Sequence, residues 1–156
     1  MTDDYQYRRG VGVMLLNREG EVFIGARIDN TDDAWQMPQG GIDAGEQPWE
    51  TALRELEEET GIAPHLVEKI AECPERIRYD LPAELRHKLW GGKWRGQDQD
   101  WFLARFLGQD SDVNIATKHP EFREWKWVGP AQLPELIVPF KRDLYRRLLR
   151  EFAEQL

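Results

Sequence analysis

Gly40-Gly-Ile-Asp-Ala-Gly-Glu46, followed after a short gap by Arg54-Glu55-Leu56-Glu57-Glu58-Glu59-Thr60-Gly61-Ile62, is the stretch on which the reading of this chain turns. Between its halves, Pro48 suits a first helical turn, and Trp49, Ala52, Leu53, Leu56 and Thr60 recur at helical spacing. Gly61 is a ready C-terminal stop. At about 100° per residue, Glu58 and Glu59 fall at roughly 300° and 40° from Glu55, so the three carboxylates share one narrow face. The apolar set centres roughly 130° away from Glu55 by the same arithmetic. The helix is therefore expected to bury one side and present clustered anions along another, with Glu57 pointing away into solvent.

A glutamate-rich face is most often only solvated. Like charges three and four residues apart repel by a few tenths of a kcal/mol per pair, however, and Arg54, reaching Glu50 and Glu58, cannot neutralise the whole set. A glycine-rich loop running into the helix can bring backbone groups against a metal or phosphate. Hard dications such as Mg²⁺ take oxygen ligands and keep places for water and substrate phosphates.

Working outward, residues 10–16 form an apolar run stopped by Asn17-Arg-Glu-Gly20, and residues 21–27 resume it, which is a hairpin signal. Residues 35–46, with Pro38, Gly40, Gly41 and Gly45, are expected to be irregular. Residues 66–73, 76–81, 101–107 and 125–128 read as strands, and 82–99 as a polar excursion. Beyond Pro130 the chain looks helical, with Phe140, Leu144, Leu148, Leu149 and Phe152 forming an apolar stripe. Intermingled strands and helices without repeat or linker predict an α/β sandwich.

A length of 156 residues suits one domain spanning 1–156. No apolar stretch reaches the roughly 18 residues of a membrane helix, which excludes spanning by a helix. The first ten residues lack the pattern of a signal peptide and the single cysteine, Cys73, has no internal partner, so the cytoplasm is the expected location. A net charge of -8 argues against a protein held to DNA or RNA by a broad basic surface. Local cations remain: Arg8 and Arg9 near the start, and Lys141, Arg142, Arg146, Arg147 and Arg150, which alone read as the wet face of an amphipathic helix.

The spacing from Gly40 through Glu46 and Arg54-Glu55-Leu56 to Glu58-Glu59 and Gly61-Ile62 resembles the Nudix box at every defining position. Outside it, Trp35-Gln-Met-Pro-Gln-Gly-Gly41, Gly96-Gln-Asp-Gln-Asp-Trp-Phe102, Pro120-Glu-Phe-Arg-Glu-Trp-Lys-Trp-Val128 and Phe140-Lys-Arg-Asp-Leu-Tyr-Arg-Arg147 are similar to the bacterial RNA pyrophosphohydrolase and dinucleoside polyphosphate hydrolase branch. The resemblance implies a Nudix fold, a mixed β-sheet sandwiched between α-helices, and hydrolysis of phosphoric anhydride bonds with Mg²⁺, Mn²⁺ or another divalent cation. It implies Glu55, Glu58, Glu59, Glu121 and the Gly40 carbonyl as metal ligands, with Arg54 orienting the carboxylates. Either Glu58, the preferred choice, or Glu121 is the general base.

Arg8, Arg27 and Lys141 match basic positions that would contact substrate phosphates. Gln39, Gln97 and Gln99 fall in the same blocks, and Tyr79, Phe140 or a tryptophan can stack a base. Trp101, Trp125 and Trp127 read as core, and His65, His87 and His119 lack ligand spacing. Asp98 and Asp100 stand where relatives commonly carry lysine, and are expected to remove positive charge near the nucleotide pocket. That loosens the expected hold on long RNA and slightly favours a second reading, dinucleoside polyphosphate as principal substrate. The leading expectation from the resemblance remains removal of pyrophosphate from the triphosphorylated 5′ end of RNA. The remaining rival is a nucleotide-sensing module without catalysis; a protein partner is not legible.

Overall fold

Two long strands lying side by side set the frame. The computed structural model describes residues 6–29, 35–86 and 93–156; the first residues of the chain and His87 lie outside them. β1 (Tyr7–Leu16) and β7 (Gly96–Phe106) pair in parallel from Tyr7↔Gly96 to Leu16↔Arg105. Because both faces of this pair are covered, β1 reads as a continuous apolar run rather than an alternating one. Val11, Val13 and Leu15 enter one core, and Met14 and Leu16 enter the other. Gly12 is needed at the crossing, because a Cβ there would strike the Trp101 indole.

The expected turn is present: Asn17 Oδ1 accepts the N–H groups of Glu19 and Glu21 at 3.1 and 2.9 Å, and Gly20 has φ +77°. β2 (Val22–Arg27) meets β1 only at Leu16↔Val22 and then pairs with β8 (Phe122–Val128). Residues 35–46 are not wholly irregular. They contain β3 (Trp35–Gln36), paired with β2, and β4 (Gln39–Gly41), paired with β1. β5 (Val67–Glu72) and β6 (Ile77–Asp80) both run antiparallel to β7. Among the described residues this gives an eight-stranded mixed sheet, ordered β3-β2-β1-β7-β5 with β4, β6 and β8 as side pairings.

α1 (Pro48–Thr60) covers one face through Ala52 and Leu56, packed with Val13, Ile62 and Phe102. It starts at the expected proline and ends where Gly61, at φ +72°, donates its N–H to the Glu57 carbonyl at 2.9 Å. The other face carries α3 (Leu133–Leu136) and α4 (Arg142–Glu151), while the short α2 (Ala83–Arg86) buries no residue. Leu144 and Leu148 of α4, with Phe152, pack on Met14, Trp101 and Leu103. Each such side chain contributes about 1.5–3 kcal/mol by leaving water. No helix among the described residues is long and apolar enough to cross a membrane.

Candidate functional site

α1 delivers its glutamates along a gradient of burial rather than as a uniformly exposed ridge. Glu57 is exposed as expected. The Glu58 side chain keeps 55% of its surface, that of Glu55 16%, and Glu59 as a residue only 5%. The buried residues of the helix are Thr51, Ala52, Leu56, Glu59 and Thr60, so its inward face is turned towards Glu59 relative to the apolar-set expectation. Trp49 and Leu53 are only half-buried. Burial therefore raises the Glu55 carboxyl to about 7, with the Glu58 charge adding to it. Burial also raises Glu59 well above the carboxylate range, reinforced by the charges of Glu55 and Glu121.

Arg54 ties the loop to the helix. Its Nε and Nη2 donate to the Glu46 carboxylate at 2.7 and 2.9 Å, and Nη2 also donates to the Gly41 carbonyl at 3.0 Å. Nη1 donates to Glu55 at 3.0 Å and to Glu58 at 3.1 Å. The guanidinium holds Glu46 down to about 2, and Glu46 in turn accepts the Asp43 N–H and the Thr51 hydroxyl. Arg54 is thus behind the site, not in its wall. It fixes where the carboxylates stand.

In front of them lies a cleft of about 810 Å³. Arg8 from β1, Arg27 at the end of β2, and Gln39 and Gly40 from β4 line it. So do Tyr79 from β6, Gln97 from β7, and Phe140 and Lys141 from the turn before α4. Glu121, just ahead of β8, reaches the same space, 3.9 Å from Arg27 Nη2. With the α1 glutamates, most of the residues singled out in the sequence thus converge from eight parts of the chain. Trp35 and Gln36, which open one of the blocks that carry the resemblance, also line the cleft, as do Val138 and Asp29, which carried no sequence signal of their own. Asp29 holds the Arg27 guanidinium at 2.7 and 2.8 Å.

Three expectations are corrected. Lys141 is not on a wet helical face; it sits on the preceding turn and is 5% exposed. Its Nζ donates to Gln36 and Gln39 at 3.4 Å each and lies 5.5 Å from the Tyr79 ring centre. Burial, with Arg27 nearby, lowers it to about 7, so it does not stay fully charged at neutral pH in the unliganded protein. Gln99 does not line the cleft either. It is fully buried, accepts the Trp101 indole N–H at 2.9 Å and donates to Gln97 and Gln39, holding those amides from behind.

Asp98 and Asp100 face the opposite side of the sheet, because strand alternation separates them from Gln97 and Gln99. Arg9 pairs with Asp100 at 2.8 Å, and Arg76 and Arg78 approach Asp98 at 3.6 and 3.7 Å. The two aspartates do not take charge from the cleft.

The donor set suits a hard dication. Glu59 Oε2 is buried without a hydrogen-bond partner. The Glu55 carboxyl fills the space a Cβ on residue 40 would take, so only glycine leaves room for it. The buried Glu59 beside the half-buried Glu55, whose pairing with Arg54 leaves the second carboxylate unneutralised, calls for a further positive counter-charge. Among the described residues, no three His, Cys, Asp or Glu side chains already converge as ligands.

A NUDIX domain is matched over residues 6–148, most of the chain. The chain belongs to the NUDIX family. It is 60% identical over 152 residues to an RNA pyrophosphohydrolase of Erythrobacter litoralis, covering 96% of this chain and 93% of the relative. To the RNA pyrophosphohydrolase of Zymomonas mobilis it is 54% identical, covering 99% of each. The NUDIX fold is shared with the Escherichia coli dihydroneopterin triphosphate pyrophosphohydrolase, at TM-score 0.72 and 20% identity over 92% of this chain and 97% of that one. It is shared also with a Caenorhabditis elegans Ap4A hydrolase, at TM-score 0.67 and 20% identity over 94% and 98%.

Proposed function

We propose that residues 1–156 form a single NUDIX domain, working in the cytoplasm, that hydrolyses the 5′-triphosphate of RNA to a 5′-monophosphate and pyrophosphate with Mg²⁺. The observation that carries the reading is a carboxylate cluster that Arg54 neutralises only in part, with the buried Glu59 Oε2 left without a partner, set beside a cleft whose other wall is cationic and aromatic. Identity of 54–60% to chains named RNA pyrophosphohydrolase supports the substrate.

Glu55, Glu58, Glu59, Glu121 and the Gly40 carbonyl would hold the dication, which supplies Lewis acidity towards the phosphate oxygens. Arg8, Arg27 and protonated Lys141 bind those oxygens; an arriving polyanion draws the proton onto Lys141 that burial otherwise disfavours. Tyr79 and Phe140, their rings 6.2 Å apart, offer faces for a base, and Gln97 donates to the Tyr79 hydroxyl at 2.7 Å to set that ring. Glu58, the most exposed carboxylate of the helix set and held by Arg54, takes the proton of the attacking water. As the water oxygen bonds to phosphorus, the bond to the oxygen bridging the α- and β-phosphates breaks, its electrons leave with that oxygen, and pyrophosphate separates from the 5′-monophosphate.

Glu58→Gln tests this, because it keeps the shape and removes the base. On 5′-triphosphorylated RNA, turnover is expected to fall by about a hundred-fold or more while the thermal unfolding curve is retained. An undiminished, metal-saturated variant would remove Glu58 from this role. With Asp98 and Asp100 turned away from the cleft, their argument for dinucleoside polyphosphates lapses. Parallel turnover of diadenosine tetraphosphate measures the preference, and phosphate release from either substrate dismisses a purely sensing module.

A further inference from the structure

A second cleft, of about 360 Å³, lies on the outer flank of the same glutamates. Glu55, Glu58, Glu59 and Glu121 border both clefts, so the carboxylates form a crest between two compartments. The far wall of the outer one is Thr117, Lys118 and His119. That loop is strapped at both ends. The Asn114 N–H donates to the Thr60 carbonyl at 2.8 Å, and the Ile28 N–H donates to the Glu121 carbonyl at 2.9 Å. Val113 and Ile115 pack against the α1-side core, and Gly61 leaves room for the Asn114 carbonyl. The loop is thereby held in place over the crest.

The two compartments differ in chemistry. The inner one has aromatic rings, side-chain amides and three basic side chains. Among the described residues the outer one has no Phe, Tyr or Trp in its lining, so it lacks the ring platform the inner one offers a nucleobase. It presents the exposed Lys118 ammonium and the Thr117 hydroxyl, whose oxygen is buried with no hydrogen-bond partner. A small, hydrated, highly charged anion fits that inventory. The glutamates repel such an anion unless it arrives with the dication they hold, which ties occupancy of the outer cleft to the reaction itself.

We infer that the outer cleft seats the departing pyrophosphate, with Lys118 and Thr117 binding its oxygens, while the monophosphorylated RNA end stays in the inner cleft. This rests on the reading of the reaction given above. Lys118 and Thr117 would then govern the off-rate of one product and not of the other.

Inhibition by inorganic pyrophosphate, with Mg²⁺ and full-length protein, tests the inference. Lys118→Ala alters an exposed side chain and leaves the fold intact; it is expected to weaken pyrophosphate inhibition about five-fold. Thr117→Val, nearly isosteric, is expected to act in the same direction. Inhibition by a 5′-monophosphorylated dinucleotide should be unchanged in both. Unaltered pyrophosphate inhibition in both variants, or equal weakening of both inhibitors, would overturn the assignment. Failure of the wild-type chain to release pyrophosphate from triphosphorylated RNA would instead defeat the underlying reaction.

Discussion

Replacing Gly40 by alanine isolates the contribution of one carboxylate. The added methyl group would land on the Glu55 carboxyl, and Gly40 is not among the positive-φ glycines, so the side chain and not the backbone must give way. Glu55 would then swing out to water. In the native apoprotein its carboxyl is raised to about 7 from 4.5 by burial. That elevation destabilises the fold above neutral pH by about 2 kcal/mol once screening by water is allowed for. Gly40→Ala is therefore expected to unfold no earlier than wild type in a chelator at pH 8. Its Mn²⁺ affinity, read by calorimetry or by the paramagnetic signal of free Mn²⁺, should fall about 10- to 100-fold. Wild-type Mn²⁺ affinity in the variant would refute the placement of Glu55 as a ligand; a lower Tm with affinity intact would mean that the backbone had yielded instead.

Two titrations oppose each other in the apoprotein. Glu55, raised to about 7, loses stability for the fold as pH climbs from 4.5 towards 7, whereas Lys141, lowered to about 7 from 10.5, returns stability as pH climbs beyond 7. Urea denaturation with chelator should show stability falling from pH 5 to 7, with buried Glu59 acting in the same direction as Glu55. The Lys141→Met variant should lose the opposing gain between pH 7 and 9. No fall from pH 5 to 7 would contradict the Glu55 assignment, and an identical pH 7 to 9 change in the variant would contradict that of Lys141. Lys141→Met removes a buried ammonium, so a higher Tm at pH 7 is expected together with a KM for triphosphorylated RNA raised about ten-fold or more; an unchanged KM would place the phosphates elsewhere. Gly61→Ala forces a side chain onto φ +72° and to 2.7 Å from the Asn114 carbonyl, and should lower stability by about 1–3 kcal/mol in urea denaturation. A neutral result there would mean that the strap on the 114–121 loop is slack.

The local parts of the site were legible because their physics is local. Pro48, Gly61 and the glutamate spacing act within one helix, and the structure places that helix where they indicate. What escaped depends on partners far along the chain. β3 and β4 are two and three residues long and exist only because β2 and β1 offer them hydrogen bonds. The first half of β7 was hidden because both of its faces are polar: Gln97 and Gln99 serve the cleft and its backing, and Asp98 and Asp100 hold arginines behind the sheet. Hydrophobic alternation, the main strand signal, is absent from such a segment. Lys141 reads as solvent-facing because its neighbours in sequence are basic; its burial comes from Gln36, Tyr79 and Phe140, brought in from other elements.

The parallel pairing of β1 with β7 also bears on how the protein is made. Tyr7 finds Gly96, and Leu16 finds Arg105, across most of the chain. Contacts of such long sequence separation form slowly, since loop entropy is lost before any pairing rewards it. A ribosome must deliver residue 106 before the frame can close, and residue 141 before the cleft gains its buried cation. A nascent chain carrying the whole glutamate helix thus still lacks both the strand that closes the frame and the cation that completes the cleft.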